Sequence, residues 1–356
     1  MLFFGLLAGA VFLYCLWIWP AFQFLRAYRQ RIAKDGEDAP RSELQIAGVP
    51  VHIYPCPKPS STTLIIISGL HPNGIYDPRF VAFAKSCTEQ GFQVVAPDVA
   101  DFRKFRIAPE TFKTILSVAD ELPDHLDPAT RKRMGVLGIS YGAGPAFLIA
   151  AKHKMNFVVS IGGYYNLLHT IEYSFSGIHG SDQRNPHEWG RLIFALTHME
   201  ELTDGPDAEI LRRSLELRLQ LKEQEAESLE IELSAAGQSL LQGILKGLTQ
   251  EQTQLFRDVA KKLSKEAAEI SPQTFLGTID RRTVLYLLHG VSDDSIPYEE
   301  SIELQQAAEK AGLKSHLLIT EGLTHVDVTS PSGVLEFLKM LHWTRLLLRE
   351  GGSNHR

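Results

Sequence analysis

The chain has little cysteine and no excess of positive charge, and these two shortages remove several function classes at once. Its three cysteines in 356 residues, Cys15, Cys56 and Cys87, stand at no metal-ligand spacing, which argues against a disulfide framework and a cysteine-based metal site. Lysine and arginine number 36 against 42 aspartate and glutamate, for a net charge of -6. With no basic patch along the chain, nucleic-acid binding driven by phosphate neutralisation is not expected. A Walker phosphate loop, a dinucleotide fingerprint and an H-E-x-x-H pair are missing as well, so no cofactor and no metal is implied. The composition is otherwise globular, 44% hydrophobic and 22% charged, enough for one large core plus an insertion.

A further absence is local: residues 1–25 contain no charged side chain. About 20 apolar residues in a helix cross a hydrocarbon core of about 30 Å, so this segment is expected to be a transmembrane or membrane-anchoring helix. Trp17, Trp19 and Tyr28 lie toward one end, as interfacial anchors do. A cleaved signal peptide fits poorly, because no basic region precedes the apolar run and no small-x-small site follows it. Tyr14 before Cys15 is also too large for a lipoprotein cleavage site. Arg26, Arg29, Arg31 and Lys34 crowd the C-terminal flank, and positive-inside reasoning keeps that flank, with the domain beyond it, on the cytoplasmic face. Pro20 is expected to end or kink the segment, which leaves a shallow interfacial helix as the alternative to a full span.

What is present is most informative at Gly138-Ile139-Ser140-Tyr141-Gly142, between an apolar run ending in Val136-Leu137 and a helix-like run from Pro145. In a G-x-S-x-G set between strand and helix, the glycines remove Cβ atoms from a very tight turn and the serine hydroxyl projects from the end of a sheet. A serine needs a base, and the base needs an orienting acid. Both follow in order: Asp293 in the loop after the strand candidate Thr283 to Leu288, and His325 in the loop after the candidate His316 to Ile319. Asp294 is the alternative acid, one residue later. His289 and His169 could compete with His325, but only His325 combines the right order with a preceding strand and a loop before the last helix.

With its motifs at residues 138–142, at His289-Gly290-x-x-Asp293-x-x-Ile296-Pro297 and at Gly322-x-x-His325, the chain resembles the α/β-hydrolase superfamily over residues 43–163 and 278–349. The resemblance implies an α/β-hydrolase fold, a mainly parallel eight-stranded sheet with an inserted helical cap. It implies Ser140 as nucleophile, His325 as base and Asp293 as acid. The oxyanion donors would be the backbone N–H groups of Tyr141 and Leu70, although Ser68-Gly69 departs from the family's common His-Gly start. His71 in that loop could help to position substrate, with packing of the loop the simpler reading, and His289 is read as a non-catalytic histidine that packs its own loop.

The alternation of short apolar runs and helical stretches independently points to a mainly parallel sheet flanked by helices. Strands are expected at 43–46, 51–54, 63–67, 93–96, 133–138, 157–161, 283–288 and 316–319, and helices at 77–90, 109–122, 141–153, 298–311 and 332–349. The expected division is an anchor at 1–25, a basic flank and linker at 26–42, a first core part at 43–163, a helical cap at 164–277, a second core part at 278–349 and a tail at 350–356. No convincing strand stands in the cap. There Leu240, Leu241, Ile244, Leu245 and Leu248 form one apolar helical stripe, and Leu255, Phe256, Val259 and Leu263 another. Packing within the cap is the simpler reading of both, ahead of a partner seam. Leu215 to Leu221 is read as helix despite its alternation, and the acidic stretch with Glu223, Glu225, Glu227 and Glu230 as a solvated face. Tyr164, Tyr165, Tyr173, Phe175 and Trp189 are candidates for pocket lining or core.

These readings converge on a membrane-anchored serine hydrolase cleaving carboxylic esters, with an apolar acyl or lipid-like substrate and no cofactor. The same triad would serve a peptidase, a thioesterase or an acyltransferase. A non-catalytic membrane scaffold is the reading from a different class. Oligomeric state is not written in the sequence.

Overall fold

The computed structural model describes residues 2–33, 41–57, 62–325, 328 and 333–351, with side chains from residue 10 onward. The expected linker residues 34–40, the expected helix start at Ser332 and residues 352–356 of the tail lie outside the described residues.

Eight strands form one sheet: β1 (Ser42–Ile46), β2 (Val49–Tyr54), β3 (Thr62–Ile67), β4 (Phe92–Pro97), β5 (Arg133–Ile139), β6 (Phe157–Ile161), β7 (Val284–Gly290) and β8 (Lys314–Thr320). Their order is β1-β2-β4-β3-β5-β6-β7-β8. The pairs β1–β2 and β2–β4 are antiparallel and every other pair is parallel. The central strands are apolar on both faces because helices cover both: Leu64, Ile65, Ile66 and Ile67 are all buried. On one face lie the helices Pro109–Glu121, Ala143–Lys152 and Glu299–Lys310, contributing Phe112, Phe147 and Leu304. On the other lie Pro78–Glu89 and Val334–Leu348, contributing Phe80 and Trp343. The Pro78–Glu89 helix starts where expected because Asp77 caps it, accepting from the Arg79 amide, and Pro78 fits the first turn.

The N-terminal segment departs from expectation in two ways. It is one helix, Leu2–Ile32, that runs through Pro20 instead of ending there. Its second half also packs on the protein: Ile18, Ala21, Phe24 and Tyr28 are buried beside Phe83 and the Val334–Leu348 helix. Arg345 donates to the Trp17 carbonyl (2.9 Å), and Arg31 donates to Ser86 (2.8 Å) and pairs with Glu89. Before this docked stretch, Val11, Phe12, Leu13 and Leu16 are each more than half exposed. Among the described residues this is the one helix long and apolar enough to cross a membrane by length and composition.

Between β6 and β7 the chain is helical, with one exception to the expectation of no strand. Ile178–His179 and Asp182–Gln183 form a two-residue hairpin around Gly180, which takes a φ of +59°. Longer helices follow at Glu188–Thr197, Gly205–Leu219, Ala235–Lys246 and Gln250–Lys262. The expected stripes mostly face inward: Leu240, Leu241, Ile244, Phe256 and Val259 are buried in one apolar cluster, whereas Leu255 is exposed. The Leu215 to Leu221 helix stops at Leu219, and Leu221 takes a left-handed φ of +63°. Glu230 is not on a solvated face: it accepts from Arg218 at 2.8 Å and from Ser214.

Candidate active site

Ser140 sits directly after β5 at a φ of +53°, a conformation that costs a non-glycine residue energy and recurs where function demands it. The flanking glycines make the turn possible. A Cβ on Gly138 would meet the Gly142 carbonyl oxygen at 2.3 Å, and one on Gly142 would meet the Ser68 carbonyl oxygen at 2.5 Å. The β3 loop therefore passes closely beside Ser140, and a Cβ on Gly69 would stand 3.1 Å from the Ser140 Cβ.

The structure brings Ser140, His325 and Asp293 together from three loops at the ends of β5, β8 and β7. The Ser140 hydroxyl lies 2.7 Å from His325 Nε2, and His325 Nδ1 lies 2.7 Å from Asp293 Oδ2. Two glycines absent from the sequence-based site admit the His325 loop. A Cβ on Gly162 would lie 2.7 Å from the His325 carbonyl oxygen, and one on Gly290 would lie 2.2 Å from that of Leu323. Gly290 belongs to the motif around Asp293, whereas only the required close approach identifies Gly162.

Asp293 is 2% exposed, and its two oxygens have separate partners. Oδ1 accepts from the amides of Ser295 and Ile296, each at 2.9 Å. Oδ2 faces both His325 Nδ1 and His289 Nε2, the latter at 3.1 Å. Burial alone would raise the carboxyl pKa, but the charge of His325 and the hydrogen bonds from both histidines outweigh it and hold Asp293 well below the usual carboxylate range. His289 Nε2 also faces the Ile296 carbonyl (3.0 Å) while Nδ1 meets the Ser301 hydroxyl (2.7 Å). Since both partners of Nε2 are acceptors, the network assigns the proton to Nε2 and leaves Nδ1 to accept from Ser301. Asp294, the alternative acid, is exposed, and its carbonyl accepts from the His187 amide.

The Tyr141 side chain is buried, stacked on Tyr164 and edged by Phe102 and Phe112; burial pushes its phenol well above the ordinary value. Leu70 and Tyr141 both line the cavity that holds Ser140. His71 belongs to its loop, with Nδ1 accepting from the Asn73 amide (3.2 Å) and Asp77 at 3.4 Å. Of the five aromatic candidates, Tyr164 and Trp189 line the cavity, Tyr173 and Phe175 are buried elsewhere, and Tyr165 is half-buried outside it. Arg191, which sequence reading passed over, is 4% exposed and ties the cap together. It donates to the carbonyls of Ile244 (2.7 Å), Ser174, Pro186 and Leu245 (3.3 Å each).

His169 is not near Ser140; it joins a latch between cap and core. Fully buried Glu300 accepts from the amides of Tyr165 and Asn166 (2.8 Å each), with His179 Nε2 at 3.2 Å and His169 Nδ1 at 3.6 Å. His169, His179 and Glu303 offer ligand atoms within 4.8 Å of one another and could hold a metal ion, the one such grouping among the described residues. Glu300 already engages both histidines, which makes an ion-pair latch the simpler reading. Burial raises the Glu300 pKa, but the two histidines and two amides bring it down to about 2. The Glu300 carboxylate beside them raises both histidines above their usual value against the effect of burial.

The signs give a window. The carboxylate's contribution is complete above its unfolded value of about 4.3 and fades as pH falls toward 2; the histidines' contribution is complete below about 6.5 and fades as pH rises through their raised values. The latch should hold best between about pH 4.5 and 6.5. Hydrogen exchange of residues 165–185, corrected for intrinsic rate, is expected to quicken as pH rises above about 6.5, and Glu300→Gln to flatten that dependence. A flat profile in the unsubstituted protein would contradict the latch.

No family model matches the chain. A 70-residue stretch is 40% identical to the probable isoprenylcysteine alpha-carbonyl methylesterase ICME of Oryza sativa subsp. japonica, covering 20% of this chain and 14% of that protein. Among solved structures, acylaminoacyl peptidase from Pyrococcus horikoshii matches 89% of this chain and 42% of its own, with a TM-score of 0.53 and 13% identity. Dipeptidyl peptidase 4 from Porphyromonas gingivalis matches 88% of this chain and 36% of its own, with a TM-score of 0.51 and 10% identity. The chain thus spans less than half the length of these proteins. Sheet order, the turn after β5 and these likenesses agree: the chain has the α/β-hydrolase fold.

Proposed function

We propose that the chain is a membrane-anchored serine hydrolase that cleaves carboxylic esters with apolar acyl groups. The observation that carries this reading is the unbroken relay from the Ser140 hydroxyl through His325 to buried Asp293, with both contacts at 2.7 Å. His325 takes the Ser140 proton as Oγ attacks the ester carbonyl, and Asp293 holds the ring and stabilises its charged form. The N–H groups of Leu70 and Tyr141 bind the oxyanion. Collapse expels the alcohol with the proton from His325, and a water activated by the same ring releases the acid from the acyl-serine.

The fold is shared with peptidases, but the cavity around Ser140 favours an ester with a hydrocarbon acyl group. It measures about 650 Å³, and apolar side chains make most of its wall. The anchor is the exposed part of the N-terminal helix, around Val11, Phe12, Leu13 and Leu16, while the stretch from Ile18 onward is held by the protein. The positive flank keeps the hydrolase on the cytoplasmic face in this reading, although Arg31 is engaged with Ser86 and Glu89. Full-length protein assayed on matched p-nitrophenyl ester, thioester and peptide anilide substrates is expected to prefer the ester by at least about tenfold in kcat/KM, a difference of about 1.4 kcal/mol. Preference for the anilide would replace the esterase reading with a peptidase.

A further inference from the structure

The cavity has two lobes that differ in chemistry. Its charged lining residues, Asp77, Arg79, Glu266 and Asp294, all lie on the loops at the carboxyl ends of the strands, on the first turn of the helix Pro78–Glu89 or on the cap. The second lobe runs the other way, down the face of the sheet. Its floor includes Leu137 and Leu64, and in the sheet register Leu64 is level with Gly135, five residues before Ser140 on β5. At about 3.3 Å per residue this lobe reaches about 16 Å below the nucleophile. Phe92 lies deeper still, level through Thr62 with Arg133. Phe80 and Trp343 line it from the two covering helices, and Phe24, Leu25 and Tyr28 of the N-terminal helix complete its lining.

We infer that this lobe is an acyl tunnel whose outer wall is the N-terminal helix, and that the substrate class is long, unbranched fatty-acyl esters with the polar alcohol lodged under the cap. The inference rests on the hydrolase reading and goes beyond it: it assigns one part of the N-terminal helix to substrate. A hydrocarbon chain is the ligand that gains from about 16 Å of uncharged, largely apolar wall, because each methylene buried there leaves water and no group in the chain requires a polar partner. A peptide would leave its backbone N–H and C=O groups unsatisfied in the same space. The helix that lines the tunnel through Phe24, Leu25 and Tyr28 also bears the exposed apolar residues that precede Ile18. Membrane contact and tail binding are therefore two stretches of one helix.

The test uses the full-length protein and a hexadecyl fluorophosphonate with a diazirine at the tail end. Ser140 Oγ bonds to phosphorus, the P–F bond breaks, fluoride leaves and His325 takes the serine proton; irradiation then marks whatever lies at the tail. Crosslinks are expected in peptides containing residues 24–28 or 83–92. Labelling of Ser140 with crosslinks confined to cap residues 167–198 or 263–270 would overturn the tunnel and leave the hydrolase reading standing. A probe that does not label Ser140 would overturn both. As a second measurement, Leu25→Trp should lower the palmitate-to-butyrate ratio of kcat/KM at least about tenfold. Equal loss on both esters, or none on either, would count against the tunnel.

Discussion

Ser140→Ala is expected to lower ester hydrolysis by about 10⁴- to 10⁶-fold and to abolish fluorophosphonate labelling. Alanine removes the oxygen that faces His325 Nε2 at 2.7 Å but keeps the Cβ, so the turn at φ +53° bears nearly the same strain as before. The melting temperature should accordingly stay within about 1.5 °C, equivalent to about 1 kcal/mol in a chain of this size. A folded variant that still labels would mean that another residue carries the chemistry. The unused histidines are no substitute: His289 is closed off by Asp293, Ser301 and Ile296, and His169 belongs to the Glu300 latch.

Asp293→Asn should cost about 10⁴-fold in kcat, and the reason lies in the carboxylate's four partners. The amides of Ser295 and Ile296 accept no other arrangement than an oxygen opposite them, which turns the new NH₂ group toward the histidines. His325 must then accept at Nδ1 and carry its proton on Nε2, where it can no longer receive one from Ser140. His289 is likewise forced into the other tautomer, which deprives the Ile296 carbonyl of its donor. Asp294→Asn, next door and exposed, is the control, expected within about twofold of the parent protein. Loss of less than tenfold in Asp293→Asn would show that the carboxylate orients nothing.

Much of the sheet is legible in the sequence because its central strands are covered on both faces and so appear as unbroken apolar runs, such as Thr63 to Ile67. The positions of Ser140, Asp293 and His325 are legible for a different reason: each follows a strand, and local glycines mark the turns. The docked half of the N-terminal helix is not legible. A segment with no charge in 25 residues has no polar side, so hydropathy gives the same reading for Phe12, which is exposed, and Phe24, which meets Phe83. The cap hairpin at Ile178 is too short to show alternation. The Glu300 latch joins residues more than a hundred positions apart, and no local spacing foretells such a meeting.

Arg191 carries a mechanical consequence for access to Ser140. Its guanidinium is bonded at once to Ile244 and Leu245, near the end of one helix, and to Ser174, near the end of another. Peeling either helix away alone would strand a buried cation, a penalty of several kcal/mol. Any opening that keeps this cation satisfied therefore has to carry both helices together, as one plate.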